Sequence, residues 1–391
     1  MWEAKAREDW AAYFDTLARH HLYFEIRRDK ADADSTKLHT VFGHDPRVAG
    51  GRIWAVYTEG MLPVPEPHRV FERRSLRWFA RGWAPADPPW IVVNPGSPCE
   101  AFLPSAPPHS GVWGRHGERL GVPGCGLRLR TLQVGGPLQG AVAHGLACGA
   151  LLLARCGRPW NALAFHGHGY LQERERLKES WGVTSRADWQ EQQRTLLDPD
   201  GVNPVWEFAL ELRRTIARDF GGYVDTAYWR DAAARVLRRR AEGEVVITPD
   251  GVTTAPATPG PETEARVNGV QQLIGRIARY EARFRADGLL DENGFVSSVY
   301  AWNLGRASGM ARWGLGSRYC DLAEAEAAVL EAGRAAARSY RSWQDFSAAY
   351  ILGRCLHFDE EEFGGWYTGV LEVHRLLMSA PGSPWLTIPF R

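Results

Sequence analysis

Two different patterns of hydrophobic and polar residues follow one another along the chain. Up to about residue 135, short apolar runs alternate with turns rich in Pro and Gly, which is typical of strands joined by loops. The apolar runs at 53–57 and 90–93 predict strands, and the spacing of apolar residues over 72–83 predicts a helix between them. A further amphipathic helix is predicted over 2–22. The pattern therefore predicts a small α/β domain over residues 1–135.

From about residue 140 the apolar positions recur every three or four residues, which predicts helices. Asn203 followed by Pro204, and the capping-box spacings that begin at Asp321 and Ser342, mark helix starts. The predicted helices span residues 140–155, 171–181, 185–197, 204–219, 226–241, 265–287, 295–313, 321–340, 342–356 and 360–378. Residues 136–391 should thus form a larger all-α domain, which makes the whole chain α+β.

One segment of the helical half departs from this pattern. Residues 248–264 contain four prolines and no aromatic residue. Such a segment buries too little apolar surface to offset the entropy lost on ordering. Because helices are predicted on both sides, we expect a mobile Pro/Thr-rich insertion within one helical domain.

Net charge, the longest apolar run and the cysteine pattern indicate which partners and which cell compartment to expect. The chain has 391 residues, with 47 Lys+Arg against 46 Asp+Glu, so no overall basic field attracts nucleic acid or acidic lipid. The most apolar run, 140–154, is shorter than the roughly 20 residues of a membrane span. The six cysteines are dispersed without a C-x-x-C pair, and the first residues lack the pattern of a signal peptide. We expect a cytoplasmic protein that binds neither nucleic acid nor membrane.

The strongest local motif is the segment FHGHGY at 165–170. His166 and His168 alternate with glycine, so in an extended segment both imidazoles would point the same way, and Glu173 follows on the predicted helix. Three such groups could ligate a metal or carry out acid/base catalysis. The favoured interpretation is a glycine-rich turn whose histidines cap the helix, and no metal or cofactor is expected.

Polar residues also lie on helix stripes that should be apolar. Asn303 and Arg306 share a face of one predicted helix with apolar residues, and Arg354 does so on another. A buried guanidinium is costly unless it is paired, so each arginine needs a carboxylate, backbone carbonyls or a bound anion. Asp359, close to Arg354 in sequence, is a candidate partner or ligand-binding residue. A network that holds helices together is favoured over an anion-binding pocket.

Several motifs carry a family resemblance. Residues 160–181 (WNALAFHGHGYLQERERLKESW), then AWNLGRASGMARWG, SWQDFSAAYILGR and the terminal SPWLTIPF, resemble the uncharacterised domain-of-unknown-function family 1266 over about 140–391. The strand that ends in VVNPGSP at 92–98 and continues CEAFLP resembles the N-terminal domain of SseB-like proteins, over about 35–105. Neither resemblance implies an established reaction or a set of catalytic residues.

The sequence lacks a phosphate-binding G-x-x-x-x-G-K-[ST] loop, a G-x-S-x-G nucleophile elbow and an H-E-x-x-H metal motif. The leading hypothesis is therefore a non-enzymatic interaction or regulatory module whose partner is another protein. The alternative is a hydrolase or transferase in which the HGHGY histidines, Glu173 and the inward arginines form one pocket for a small anionic substrate. Whether the protein is an enzyme stays open, and the absence of motifs favours that it is not.

Overall fold

The fold is α+β, as the residue pattern predicts. It is described from a computed structural model, which covers residues 1–34, 36–121, 127–163, 169–242, 246–248, 251–253 and 260–390. The strands are β1 Leu22–Arg27, β2 Gly43–His44, β3 Arg52–Thr58, β4 Arg69–Arg74, β5 Trp90–Val93, β6 Ala101–Pro104, β7 Val246–Thr248 and β8 Gly251–Thr253.

The helices occupy most of the rest of the chain that the structure describes. In the first part they are α1 Trp2–Ala6, α2 Trp10–Ala18, α3 Arg28–Ala33, α4 Leu76–Arg81 and α5 Ser110–Leu120. They continue as α6 Gly140–Cys148, α7 Ala150–Arg155, α8 Tyr170–Trp181, α9 Arg186–Leu197, α10 Pro204–Phe220 and α11 Thr226–Glu242. The last are α12 Pro261–Ala286, α13 Tyr300–Gly316, α14 Leu322–Ser339, α15 Trp343–Phe358, α16 Gly365–Ser379 and α17 Pro384–Thr387.

The N-terminal region is built on a mixed sheet. The strand order is β4-β1-β3-β5-β6, and β2 pairs with β3. β3 and β5 are parallel, whereas the other pairs are antiparallel. At the end of β5, Asn94 has a left-handed φ of 48°, and its side-chain oxygen accepts a 2.8 Å hydrogen bond from the Thr58 amide. The Asn-Pro-Gly turn thereby ties the ends of two parallel strands together.

Two predicted N-terminal helices are shorter than their apolar spacing implied. The helix predicted over 2–22 breaks at Glu8, which has a φ of 56°, and Asp9 caps the new start at α2. The helix predicted over 72–83 begins only at Leu76, because Glu72 pairs with Phe24 of β1 in the sheet. Periodicity alone could not reveal these breaks, since sheet pairing and a left-handed residue override it.

In the helical half, each predicted helix has a counterpart, but the one predicted over 140–155 is divided at Gly149 into α6 and α7, and three starts differ by four or five residues. α12 begins at Pro261 rather than 265, with proline in its first turn. α13 begins at Tyr300 rather than 295, because the amides of Val296 and Val299 each donate a 2.8 Å hydrogen bond to a glutamate side chain instead. α16 begins at Gly365 rather than 360, since Phe363 has a left-handed φ of 51°.

The chain folds into two compact units. Unit 1 comprises 1–193, 307–333 and 376–389, and unit 2 comprises 194–306, 334–375 and 390–391. These ranges differ from the predicted domains 1–135 and 136–391, which stay predictions drawn from the residue pattern. In unit 1, buried apolar side chains of α2, α4, α5 and the sheet form a core that includes closely packed Phe24, Trp54 and Phe79.

Unit 2 contains a buried ion pair at its centre. Arg213 of α10 and Glu281 of α12 form two hydrogen bonds of 2.6 and 2.7 Å, and only 5% and 2% of their side chains are exposed. The Val296 carbonyl accepts a further hydrogen bond from Arg213, and the Trp229 ring lies 4.3 Å from its guanidinium carbon. Neighbours on three helices and one loop therefore surround both charges, and of the three guanidinium nitrogens of Arg213 only Nε lacks a hydrogen-bond partner among the described residues.

Much of the predicted insertion at 248–264 lies outside the described residues. β7 and β8 pair as a short antiparallel hairpin where it begins, and α12 starts at Pro261. Across the ranges that the structure describes, none of the helices combines the length and hydropathy needed to cross a membrane.

Candidate functional site

The predicted inward arginine of α13 lies against a tryptophan one turn away. The guanidinium carbon of Arg306 is 3.4 Å from the centroid of the Trp302 ring, and its Nε donates a 3.3 Å hydrogen bond to the Trp302 carbonyl. Asn303 Oδ1 accepts a hydrogen bond from the same guanidinium. Burial lowers the pKa of Arg306 to about 10, so the group remains charged at neutral pH. The Arg306 guanidinium therefore contacts the face of the Trp302 ring and the oxygen atoms of the Trp302 carbonyl and the Asn303 side chain.

Helix α15 approaches this tryptophan unusually closely. Gly353 permits the approach, because a Cβ at this position would lie only 2.8 Å from the Cβ of Trp302. The helix starts at the predicted cap, where the Ser342 hydroxyl accepts a hydrogen bond from the Asp345 amide, while the Asp345 carboxylate accepts one from the Arg341 amide. The cap and the glycine together fix where the last turn of α15 lies relative to Trp302.

Arg354 of α15 is buried, as its place on the apolar stripe predicts, with 8% of the residue exposed. Its guanidinium carbon lies 5.3 Å from the Phe358 ring centroid and 4.9 Å from that of Trp366. Its Nε donates a 3.4 Å hydrogen bond to the Trp366 carbonyl. Arg354 therefore joins the end of α15 to the start of α16.

The two rings over Arg354 belong to a continuous row of aromatic residues. The ring centroids of Trp302 and His357 are 4.9 Å apart, and those of His357 and Phe358 are 4.4 Å apart. The Phe358 ring stacks on the Trp366 ring, with 4.7 Å between the two centroids. We call this cluster the aromatic–arginine surface. Its members are Trp302, Arg306, Arg354, His357, Phe358 and Trp366.

This surface is partly open to solvent. Trp302 is buried, but 41% of Phe358 and 45% of Trp366 are exposed, and His357 is exposed as well. Burial, and then the Arg306 charge, lower the pKa of His357, so its ring is neutral at pH 7. The exposed layer of this surface, formed by His357, Phe358 and Trp366, is thus uncharged and aromatic. The charged groups of Arg306 and Arg354 are mostly buried beneath it.

Asp359, the other predicted member of this site, is hydrogen-bonded within unit 2. Its carboxylate accepts hydrogen bonds from the Tyr280 hydroxyl at 2.8 Å and from the amides of Phe363 and Gly364. Its carbonyl accepts a 2.5 Å hydrogen bond from Arg276. The residue is 2% exposed. These bonds give Asp359 a structural role in the turn that leads into α16.

Asn303 is also buried and hydrogen-bonded inside the unit. Its side-chain amide donates a 3.3 Å hydrogen bond to the Gly201 carbonyl, while its oxygen accepts from Arg306. Asn303 therefore orients Arg306, and both its hydrogen-bonding ends are occupied.

Glu173 lies in unit 1, on α8, and the arginines described above lie in unit 2. Its carboxylate pairs with Arg158 at 3.1 Å and with Arg176. His166 and His168 lie outside the described residues, so their grouping with Glu173 and the arginines stays a prediction. Within the described ranges, no group of three or more His, Cys, Asp or Glu residues could hold a metal ion.

Sequence reasoning identified the arginines of this surface but not its aromatic layer. Phe358 and Trp366 lie just beyond the predicted stripe of α15 and in the first turn of α16. The sequence does place a large aromatic residue at the end of one helix and another at the start of the next. Such residues are expected to contact each other when the connecting turn is short. The exposure of both rings depends on tertiary packing, which residue spacing does not encode.

Comparison with known proteins identifies a family. The model of a family described as "Protein of unknown function (DUF1266)" matches residues 176–390, more than half of the chain. This range includes every residue of the aromatic–arginine surface. No curated protein and no solved structure matches the chain.

Proposed function

We propose that this chain, which belongs to the DUF1266 family, acts as a non-enzymatic interaction module that binds a partner protein through the aromatic–arginine surface. The observation that carries the proposal is the stacked pair Phe358 and Trp366, each more than 40% exposed. Exposed aromatic residues that cluster mark interaction sites, and Trp is enriched among residues that dominate binding energy. The buried Arg354 beneath them favours a preformed surface.

Charges around the surface favour one chemistry of partner. Glu360 and Glu362 lie in the turn between Phe358 and Trp366 and are exposed, and neither forms an ion pair among the described residues. A partner segment that places an apolar side chain on the rings and a lysine or arginine beside these carboxylates would complement both features. A nucleic-acid backbone is disfavoured, because its phosphates would meet the glutamates while both arginines are mostly buried.

Two finer features belong to the same proposal. A cytoplasmic location is supported by free cysteines at 99, 148, 156, 320 and 355. An SseB-like origin of the N-terminal region is supported by the Asn94 turn between two parallel strands. Both are consistent with a protein that couples a sheet-containing region to a helical interaction surface.

Quantitative co-purification of the full chain tests the proposed function. Proteins recovered with the tagged parent should be lost with Trp366→Ala and retained with Phe220→Ala. Phe220 is the matched control, since it is an exposed aromatic residue of the same unit, 71% exposed and packed on Tyr228. Equal recovery by both variants would contradict the proposal.

The enzymatic alternative predicts turnover that depends on Glu173 or His168, whereas the proposed interaction module predicts none. Hydrolase, phosphatase and deaminase substrate panels should show no turnover that depends on Glu173 or His168. Robust turnover that is abolished by Glu173→Gln or His168→Asn would replace the interaction hypothesis with the hydrolase or transferase hypothesis.

A further inference from the structure

Unit 1 contains a cavity of about 330 Å³ that is independent of the aromatic–arginine surface. It lies where the end of α2 meets the turn that follows β3 and the extended segment 128–131. A cavity of this size accommodates a small molecule. Its titratable and charged groups are the Met1 amino group and the side chains of Arg19, His20, His21, Glu59, Arg128 and Arg130.

The cavity has more positive than negative charge. Three guanidinium groups line it against one carboxylate, that of Glu59. Glu59 is already engaged, because it pairs with Arg130 at 3.3 Å and accepts a 3.0 Å hydrogen bond from the Tyr23 hydroxyl. Among the described residues, the guanidinium groups of Arg19 and Arg128 form no ion pair or hydrogen bond. Both residues are exposed, so water solvates these two positive charges, and no carboxylate of the described residues pairs with them.

Burial, and after it the nearby positive charge, lowers the pKa of both histidines at the cavity. Burial lowers the pKa of His20 first, and the Arg128 charge lowers it further. Burial and the nearby Arg73 lower the pKa of His21, whereas Glu59 opposes both shifts. Both rings are accordingly neutral at pH 7 and each can accept or donate one hydrogen bond.

A hydroxyl group adds a donor to the same wall. The Thr131 hydroxyl oxygen accepts a 2.9 Å hydrogen bond from the Trp160 indole, which leaves its own hydrogen free to donate. Trp160 in turn is fixed, because its amide donates a 3.0 Å hydrogen bond to the Arg130 carbonyl. This part of the wall is thus held in place before any ligand binds.

We propose that this cavity binds the phosphate group of a small soluble phosphate monoester. A dianion matches the two unpaired guanidinium charges, and guanidinium groups form paired hydrogen bonds with phosphate oxygens. The neutral histidines and the Thr131 hydroxyl supply the remaining donors. No covalent step is involved, and the cavity acts as a ligand-binding site.

Calorimetric titration of the full chain with glycerol 3-phosphate, at constant ionic strength, tests this inference. The parent should bind saturably, and Arg128→Ala and Arg19→Ala should each weaken binding about tenfold or more. Arg7→Ala is the matched control, because Arg7 is exposed in the same unit and lies outside the cavity. It should bind like the parent.

Nuclear magnetic resonance of ring-labelled histidine supplies a second measurement of binding that does not depend on the heat of binding. Glycerol 3-phosphate should raise the pKa of His20 in the parent, and Arg128→Ala should raise it without ligand. Absence of saturable binding, equal weakening by Arg7→Ala, or binding only to phosphatidic acid vesicles would each overturn the proposal. None of these outcomes bears on partner binding at the aromatic–arginine surface, so the two proposals fail separately.

Discussion

The ring centroids of Phe358 and Trp366 are 4.7 Å apart, with an interplanar angle of 15°, although each residue is more than 40% exposed. The Arg354 guanidinium lies within 5.3 Å of both ring centroids, and its Nε donates to the Trp366 carbonyl. An exposed aromatic pair that is held from below by a buried cation retains its shape without a partner. Less conformational entropy is then lost when a partner binds.

Removal of one member of the buried pair Arg213–Glu281 should destabilise unit 2 strongly. Glu281→Ala leaves the Arg213 charge buried without its carboxylate, and the Val296 amide loses its acceptor. We expect the free energy of unfolding to fall by about 3–5 kcal/mol, measured by urea denaturation.

The matched control for this prediction is Glu264→Ala. Glu264 pairs with Arg238 through two hydrogen bonds as well, but about 40% of each side chain is exposed. Water and ions screen such a pair, so its loss should change stability little. A similar loss of stability in both variants would show that burial does not set the strength of the Arg213–Glu281 pair.

Arg354→Ala and Arg354→Met separate two contributions of this arginine. Alanine removes both the packing on the aromatic rings and the hydrogen bond to the Trp366 carbonyl, for which we expect a loss of roughly 2–3 kcal/mol. Methionine restores packing on the rings and should recover part of this loss. Thermal unfolding of the parent, Arg354→Met and Arg354→Ala measures the stability of each, and we expect stability to decrease in that order. An Arg354→Ala protein as stable as the parent would contradict the assigned role.

His374 should make stability depend on pH. It is buried and hydrogen-bonded to the Ser347 hydroxyl at 2.8 Å, and burial, followed by the Arg375 charge, lowers its pKa to about 4. Protonation therefore favours the unfolded state, where the pKa is about 6.5. Stability from this residue is complete above pH 6.5 and is lost as pH falls towards 4, by about 2 kcal/mol at pH 5.

Urea denaturation of the parent and of His374→Gln at pH 7.5 and pH 5 measures this effect. Glutamine does not titrate, so the variant should lose about 2 kcal/mol less than the parent between the two pH values. Other histidines with a lowered pKa, such as His144, contribute equally to both proteins. Parallel losses of stability in parent and variant would rule out His374 as the source.

Local signals in the sequence predicted the helical half well. Asn203 caps α10 through two backbone amides, and the box of Asp321 and Glu324 closes with reciprocal hydrogen bonds. These signals work because capping involves residues within one helical turn. By contrast, the partner of Arg213 lies 68 residues away, so spacing could not identify it.

The candidate site was predicted only in part, for a similar reason. The apolar stripe of α15 correctly predicted that Arg354 is buried. It could not predict that aromatic rings and a carbonyl would surround the guanidinium, because Trp366 comes from the next helix, beyond a turn with left-handed residues. The cavity around Arg128 was missed altogether, since its walls come from four separate parts of the chain.

Substitution of the surface itself should alter binding without unfolding the protein. Trp366 is 45% exposed, so Trp366→Ala removes roughly half of the burial of a core tryptophan and should lower the free energy of unfolding by about 1–2 kcal/mol, less than the loss of a fully buried tryptophan. Urea denaturation checks this expectation. A loss of several kcal/mol would mean that Trp366 has a structural role rather than a binding role.

Site-specific photocrosslinking in cells tests the central claim most directly. The photoreactive amino acid p-benzoylphenylalanine replaces Phe358 in one protein and the control residue Phe220 in another. Partner binding at the aromatic–arginine surface predicts a discrete crosslinked adduct from position 358, its loss when Trp366→Ala is added, and no such adduct from position 220. No adduct at 358, or the same adduct from both positions, would contradict the proposed interaction surface.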